Sequence, residues 1–207
     1  MKINYSKSYL KFISIILIGL GVLMFACRQK NKPNAKFNSH NQLDSQNIKI
    51  HSLTDNPFKG LRNMALSVTP EQLRLNLPSN KTVVYGIVMD WNTGGVICTI
   101  VAFQTGDASM YLSSGQAYIG GGQHLNIHEQ AISFVKNAQD YLKNTAFVDS
   151  MPLPDQEFAR FYFLTNRGTY SIQESVSNLK GKSDQFIELM AQGQKLISEY
   201  REEIDKN

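Results

Sequence analysis

Residues 82–103 read TVVYGIVMDWNTGGVICTIVAF, and this stretch decides the fold. Thr82 to Asp90 and Val96 to Phe103 are apolar at nearly every position, so both read as strands covered on both faces. Trp91-Asn92-Thr93-Gly94-Gly95 between them supplies turn residues. Gln104-Thr105-Gly106-Asp107 then closes a tight hairpin into a third strand, Ala108 to Ser113. That strand alternates, with Ala108, Met110 and Leu112 against Ser109, Tyr111 and Ser113, which places it nearer an edge.

Working outward, Asn126 reads as an N-cap with Glu129 three residues on. Ile127, Ala131, Phe134, Val135, Ala138, Tyr141 and Leu142 follow helical spacing and form one apolar stripe. Phe158 to Thr165 and Gly168 to Val176 form a second hairpin through Asn166-Arg167-Gly168. Ser183 caps a last helix whose stripe is Phe186, Leu189, Met190, Gly193, Ile197, Tyr200 and Ile204. Upstream, Thr69-Pro70-Glu71-Gln72 reads as the start of a short helix, with Pro70 at its first position and Asn76-Leu77-Pro78 ending it. The expectation is an α+β domain over 58–207. It has a five-stranded, mainly antiparallel sheet in the order β-β-β-α-β-β-α, with the two long helices on one face. The first, second and fourth strands are central, and the other face takes its cover from the short helix and preceding segment or from a second copy.

The N-terminus reads as an address. Lys2, Lys7 and Lys11 precede a charge-free apolar run from Phe12 to Ala26, 15 residues long. A membrane-spanning helix needs about 20, whereas a short apolar run behind a basic segment reads as a signal peptide. Leu23-Met24-Phe25-Ala26-Cys27 resembles the bacterial lipobox, although Met24 and Phe25 depart from its commonest residues. That resemblance makes residues 1–26 a lipoprotein signal peptide and Cys27 the lipidated mature N-terminus. The expected location is the bacterial cell envelope, lipid-anchored, with a periplasm-facing anchor as the default: Arg28 is not the aspartate of the retention signal, and the acidic stretch of a surface-export signal is also absent. Residues 27–57, rich in Asn, Lys, Gln and Ser, read as a flexible tether, and His40 and His51 within it form no site.

Charge gives no argument for a nucleic-acid partner. The chain has 21 basic and 17 acidic groups among 207 residues. The three lysines of the signal peptide account for most of the surplus, leaving 18 basic against 17 acidic groups in the remainder. No nucleic-acid partner follows from that balance. The expected partners are the lipid bilayer, through acylated Cys27, and a second copy or another envelope protein.

Val84-Tyr85-Gly86 with Met89-Asp90-Trp91, Tyr111-Leu112-Ser113-Ser114-Gly115, Ile119-Gly120-Gly121-Gly122 and Arg160-Phe161-Tyr162-Phe163-Leu164-Thr165 look like a family of uncharacterised bacterial proteins. The resemblance covers about residues 58–201. It implies no activity and supplies no functional residues. The topology more loosely looks like the profilin, roadblock and PAS group of small α+β modules, and topology does not fix function.

Candidate binding residues fall in two groups. Asp90, Trp91 and Asn92 form a polar–aromatic cluster at a strand end, where an exposed Trp91 would be a contact anchor and a Trp91 folded over the sheet would be core. Gly120, Gly121 and Gly122 precede a helix N-terminus, a place where free N–H groups can meet an anion, or where a sheet simply turns into a helix. His124 and His128, four apart, suit one helix face, but no third ligand follows and the His-Glu-x-x-His pattern is absent. No catalytic residue, metal site or cofactor is assigned. Cys98, inside an apolar strand, reads as a buried and inert thiol. The expected function is a membrane-tethered binding or interaction module. The alternative is a small-molecule or metal-dependent enzyme using His124, His128 and the Gly120–Gly122 loop.

Overall fold

A computed structural model describes residues 56–176 and 181–206. The signal peptide, Cys27 and the tether as far as residue 55 lie outside the described residues. Asn56 is fixed to the domain: its side-chain N–H donates to the Ser113 carbonyl at 2.6 Å, and its Oδ1 accepts from the Phe58 N–H at 3.0 Å.

The described chain is α+β with an antiparallel sheet, as expected, but the sheet has seven strands rather than five. Helix α1 is Phe58–Leu66, and strands β1 Val84–Asn92, β2 Ile97–Phe103, β3 Ala108–Leu112 and β4 Ala117–Ile119 follow. Helix α2 is Leu125–Tyr141, then come β5 Ala146–Phe147, β6 Phe158–Thr165, β7 Gly168–Ser175 and helix α3 Asp184–Asp205. The strand order is β4-β3-β2-β1-β6-β7-β5, with every pairing antiparallel. The extra strands, β4 and β5, span three and two residues, too short for a period of two to register. They form the two edges and put β3 one strand in from the edge. The three strands with two apolar faces, β2, β1 and β6, occupy the centre.

The first helix also needs correcting. It lies at Phe58–Leu66, not after Thr69. The capping box forms: Gln72 Oε1 accepts from the Thr69 N–H at 2.8 Å, and Thr69 Oγ1 accepts from the Gln72 N–H at 3.4 Å. It opens only one turn, because Arg74 takes a positive φ of 56°, which ends helical propagation. At the other long helix, His124 rather than Asn126 is the N-cap, with no side-chain cap bond. Asn126 donates instead to Glu199 Oε2 at 2.7 Å. Ser183 caps α3 as expected, accepting from the Phe186 N–H at 3.1 Å.

Two cores form. The larger holds Ile87, Met89 and Trp91 of β1, Ile100 of β2, and Phe161 and Phe163 of β6. It also takes Ile127, Phe134 and Ala138 of α2 and Phe186, Leu189 and Tyr200 of α3. Edge-to-face ring pairs, Phe134–Phe161 at 6.5 Å and Phe161–Phe186 at 5.9 Å, run through it. The smaller core holds Val88, Val101, Tyr162 and Leu164 with Phe58, Ala65 and Leu66 of α1. Leu73, Leu75, Leu77, Met151 and Leu153 pack partly buried against it. The second face of the sheet is therefore covered from within the chain, by α1 and two loop segments.

Candidate functional site

The two groups of candidate residues do not converge. Antiparallel register pairs Asn92 with Ile97 at one end of β1 and Gly86 with Phe103 at the other. Gly122 packs at the Phe103 end: a Cβ there would stand 2.7 Å from the Gly106 carbonyl oxygen. Asp90, Trp91 and Asn92 thus lie at the opposite end of the sheet from the three glycines.

Trp91 is part of β1, not of a turn, and is 5% exposed, between Cys98 of β2 and Ala159 of β6. It is a core residue, which corrects the contact-anchor reading. Asn92 fastens local turns, accepting from the Gly94 N–H at 3.0 Å and donating to the Pro154 carbonyl at 3.2 Å. Asp90 is 0% exposed. Its Oδ2 accepts from Arg62 Nε at 2.9 Å and Nη2 at 2.6 Å, and its Oδ1 accepts from the Thr99 hydroxyl at 2.5 Å. Arg62 Nη1 also donates to the Met151 carbonyl at 3.0 Å, and the guanidinium lies 5.4 Å from the Tyr162 ring centre. The Tyr162 hydroxyl donates to the Pro152 carbonyl. This network pins α1 and the 151–152 loop to the sheet, and its burial leaves no room for a ligand. Arg62 was missed at the sequence level. Its signal was a single cation on the stripe Phe58, Arg62, Ala65, Leu66, matched by a single carboxylate inside an apolar strand.

The glycine and histidine candidates do share one corner of the domain. Gly120 takes a positive φ of 81°, and Gly121–Gln123 form a single 3-10 turn. Gly121 is required by close approach, since a Cβ there would run into the Tyr200 hydroxyl. Gly121 and Gly122 are tightly packed where the sheet turns into the helix. The histidines face different partners: His128 covers Gly106 of the β2–β3 hairpin, while His124 Nδ1 lies 3.1 Å from Glu203 Oε2 near the end of α3. Among the described residues, no group of three His, Cys, Asp or Glu side chains could hold a metal ion.

A recess of about 310 Å³ opens at this corner, lined by Tyr118 and Ile119 of β4, Gly121, His124, Ile127, Tyr200, Glu203 and Ile204. Tyr200 is its distinctive member. The residue is 3% exposed, and its hydroxyl makes no hydrogen bond. Burial pushes the phenol pKa up, and the neighbouring Gly121 backbone opposes that shift without closing a hydrogen bond. Both Glu203 oxygens are engaged, Oε2 by His124 and Oε1 by Lys206 Nζ at 2.5 Å, and the Lys206 bond is the main reason the carboxyl sits below its ordinary value. A larger recess, about 610 Å³, lies by Thr82, Gln139, Asp140, Lys143 and Tyr170. It holds none of the candidate residues, and Gln139 is already committed to the Val84 N–H at 2.8 Å.

Cys98 is buried, and burial pushes its thiol up to about 12, as an inert thiol requires. No described helix is long and apolar enough to cross a membrane. No protein-family model, curated protein or solved structure matches this chain.

Proposed function

We propose that the chain is a lipid-anchored bacterial envelope protein whose α+β domain is a binding module, with the recess beside β4 as its binding site. The anchor rests on the basic start, the Phe12–Ala26 run and Cys27. The module reading takes α2 and α3 as one layer over one face of the sheet, supported by the core they share and by Gln130 Nε2 donating to Gln192 Oε1 at 2.6 Å. Where α2 begins and α3 ends, the layer leaves the corner open.

The observation that carries the reading is the Tyr200 hydroxyl. A buried polar group without a hydrogen bond costs roughly 1–3 kcal/mol, so Tyr200 marks this corner as one held at a cost to stability, which a role in binding would explain. The test is an NMR screen of the full-length chain against small neutral, anionic and cationic compounds. Perturbations should gather at Gly121, His124 and Tyr200; hits that gather elsewhere, or none, contradict the site. Anchoring is tested separately by labelled fatty acid, which should mark the wild type and not Cys27→Ser.

A second reading, an enzyme, has one observation in its favour. A carboxylate 3.1 Å from His124 Nδ1 is the arrangement that orients a histidine base. It no longer includes His128, which lies against Gly106. Turnover of a bound compound that His124→Ala abolishes while leaving its binding intact would favour this reading.

A further inference from the structure

We infer that Met151–Asp155 is a releasable strap, filling in cis a groove that takes a proline-rich extended segment of another protein. The groove shares no residue with the recess beside β4. Met151-Pro152-Leu153-Pro154 fixes the shape of the strap: each proline holds its own φ at about −65° and turns the residue before it away from helix. Four residues in a row are thereby biased to polyproline II, a conformation without internal hydrogen bonds that leaves its carbonyls to outside donors.

Side chains of the groove supply those donors. Arg62 Nη1 donates to the Met151 carbonyl at 3.0 Å, and Nη2 to the Pro152 carbonyl at 3.4 Å. The Tyr162 hydroxyl donates to the same Pro152 carbonyl, and Asn92 Nδ2 to the Pro154 carbonyl at 3.2 Å. Met151 and Leu153 pack half-buried on the smaller core, which includes Tyr162. Gln173 fastens the far end, donating through Nε2 to Asp155 Oδ2 at 2.7 Å and accepting from the Asp155 N–H at 3.4 Å. A row of carbonyls met by side-chain donors, with apolar side chains seated on an aromatic surface, is how proline-rich segments are bound. The occupant seated in this groove thus displays the ligand class that the groove accepts.

Both ends of the strap are weak points. β5, before it, has two residues, both exposed. Glu157, after it, takes a φ of 64°, a left-handed conformation that is costly without glycine. Segments with few buried contacts at their ends open without global unfolding. When the strap lifts, Arg62 keeps Asp90 Oδ2 at 2.9 and 2.6 Å, so the groove stays built and only its carbonyl partners leave. A segment from another chain makes the same bonds with no left-handed residue to hold. A second copy of this chain does not fit that role, because its strap joins β5 to β6 within its own sheet.

The experiment titrates the full-length chain, 15N-labelled in detergent micelles, with a synthetic peptide of residues 149–156, DSMPLPDQ. A control peptide carries alanine for both prolines. Pro152→Gly with Pro154→Gly loosens the strap and should raise affinity for the proline peptide about tenfold over wild type, with shifts at the side-chain N–H signals of Arg62, Asn92 and Gln173. Adding Tyr162→Phe should weaken that binding about threefold or more, because the Pro152 carbonyl loses a donor. Asp155→Ala, at an exposed strap position, should raise affinity in the same direction and decides the matter if the glycine pair does not fold. Equal affinity in wild type and loosened variants places the peptide elsewhere and overturns the inference. Equal binding of the control peptide, or no binding by any variant, also overturns it. A loosened variant that dimerises in light scattering and excludes the peptide would make a second copy the occupant and overturn the assignment to another protein.

Discussion

Alanine at Gly193 should destabilise the protein although it sits in the interior of α3, where alanine is the better helix former. A Cβ built on Gly193 would stand 2.5 Å from Met89 Sδ, 2.8 Å from Met89 Cε and 3.2 Å from Phe134 Cζ. Ordinary carbon contacts lie near 3.5–4.0 Å, so the Met89 terminus has to move by about an ångström. It has little room, because Met89 and Phe134 are both fully buried. Overpacking of this kind costs roughly 1–3 kcal/mol, and the helix-propensity gain of about 1 kcal/mol offsets part of it. The net loss is up to about 2 kcal/mol, read as a lower midpoint in urea at unchanged slope. Met89→Val removes the clashing atoms. In that background Gly193→Ala should cost nothing or stabilise, giving a coupling of about 1–2 kcal/mol. A higher midpoint for Gly193→Ala alone, or an equal cost in both backgrounds, would refute the close-approach account.

Asp90→Ala should cost about 3–5 kcal/mol, since it leaves the Arg62 guanidinium buried without its counter-ion, whereas Arg62→Met with Asp90→Leu should cost less than either single change; a double-variant loss equal to the sum of the two single losses in denaturation would show the pair is not acting as a unit. Cys98 should resist thiol reagents in the folded state and react on unfolding, given a thiol pushed up to about 12; rapid labelling of the native protein would contradict its burial. Burial also raises Tyr85, Tyr111, Tyr141, Tyr162 and Tyr200 above the ordinary 10.0. The unfolded chain therefore loses these protons first, and the stability they contribute is intact below pH 10 and declines as pH rises through the native values. Alkaline denaturation followed by tyrosinate absorbance should show ionisation and unfolding together; tyrosines that all ionise near pH 10 before unfolding would contradict this.

The central strands were legible because β1, β2 and β6 are apolar on both faces and feed both cores. The two long helices were legible because each carries a sustained stripe, and Gly193 stood out as the glycine within one of them. β4 and β5 were not legible, being shorter than any pattern that could mark them. Thr69–Gln72 misled because a capping box reports its own hydrogen bonds, and those form whether one turn follows or four. Asp90 and Trp91 were singled out at a strand end, and the strand absorbs the expected turn residues Trp91 and Asn92 by running on to Asn92. Burial then gave one residue to the core and the other to Arg62, 28 positions away, a distance that no local pattern spans. The glycine–histidine corner was legible as a group, but Tyr200 was read only as one member of a stripe. Whether its hydroxyl finds a partner depends on how the end of α3 meets Gly121, which a sequence does not display.

The most direct test of the binding-site account compares wild type with Tyr200→Phe by chemical denaturation in the absence of ligand. If the Tyr200 hydroxyl is held without a hydrogen bond, removing it loses nothing, and the midpoint should stay level or rise. A loss of about 1 kcal/mol or more, the size of an ordinary intramolecular hydrogen bond, would mean that the protein already satisfies the hydroxyl and that the recess does not depend on a ligand to do so.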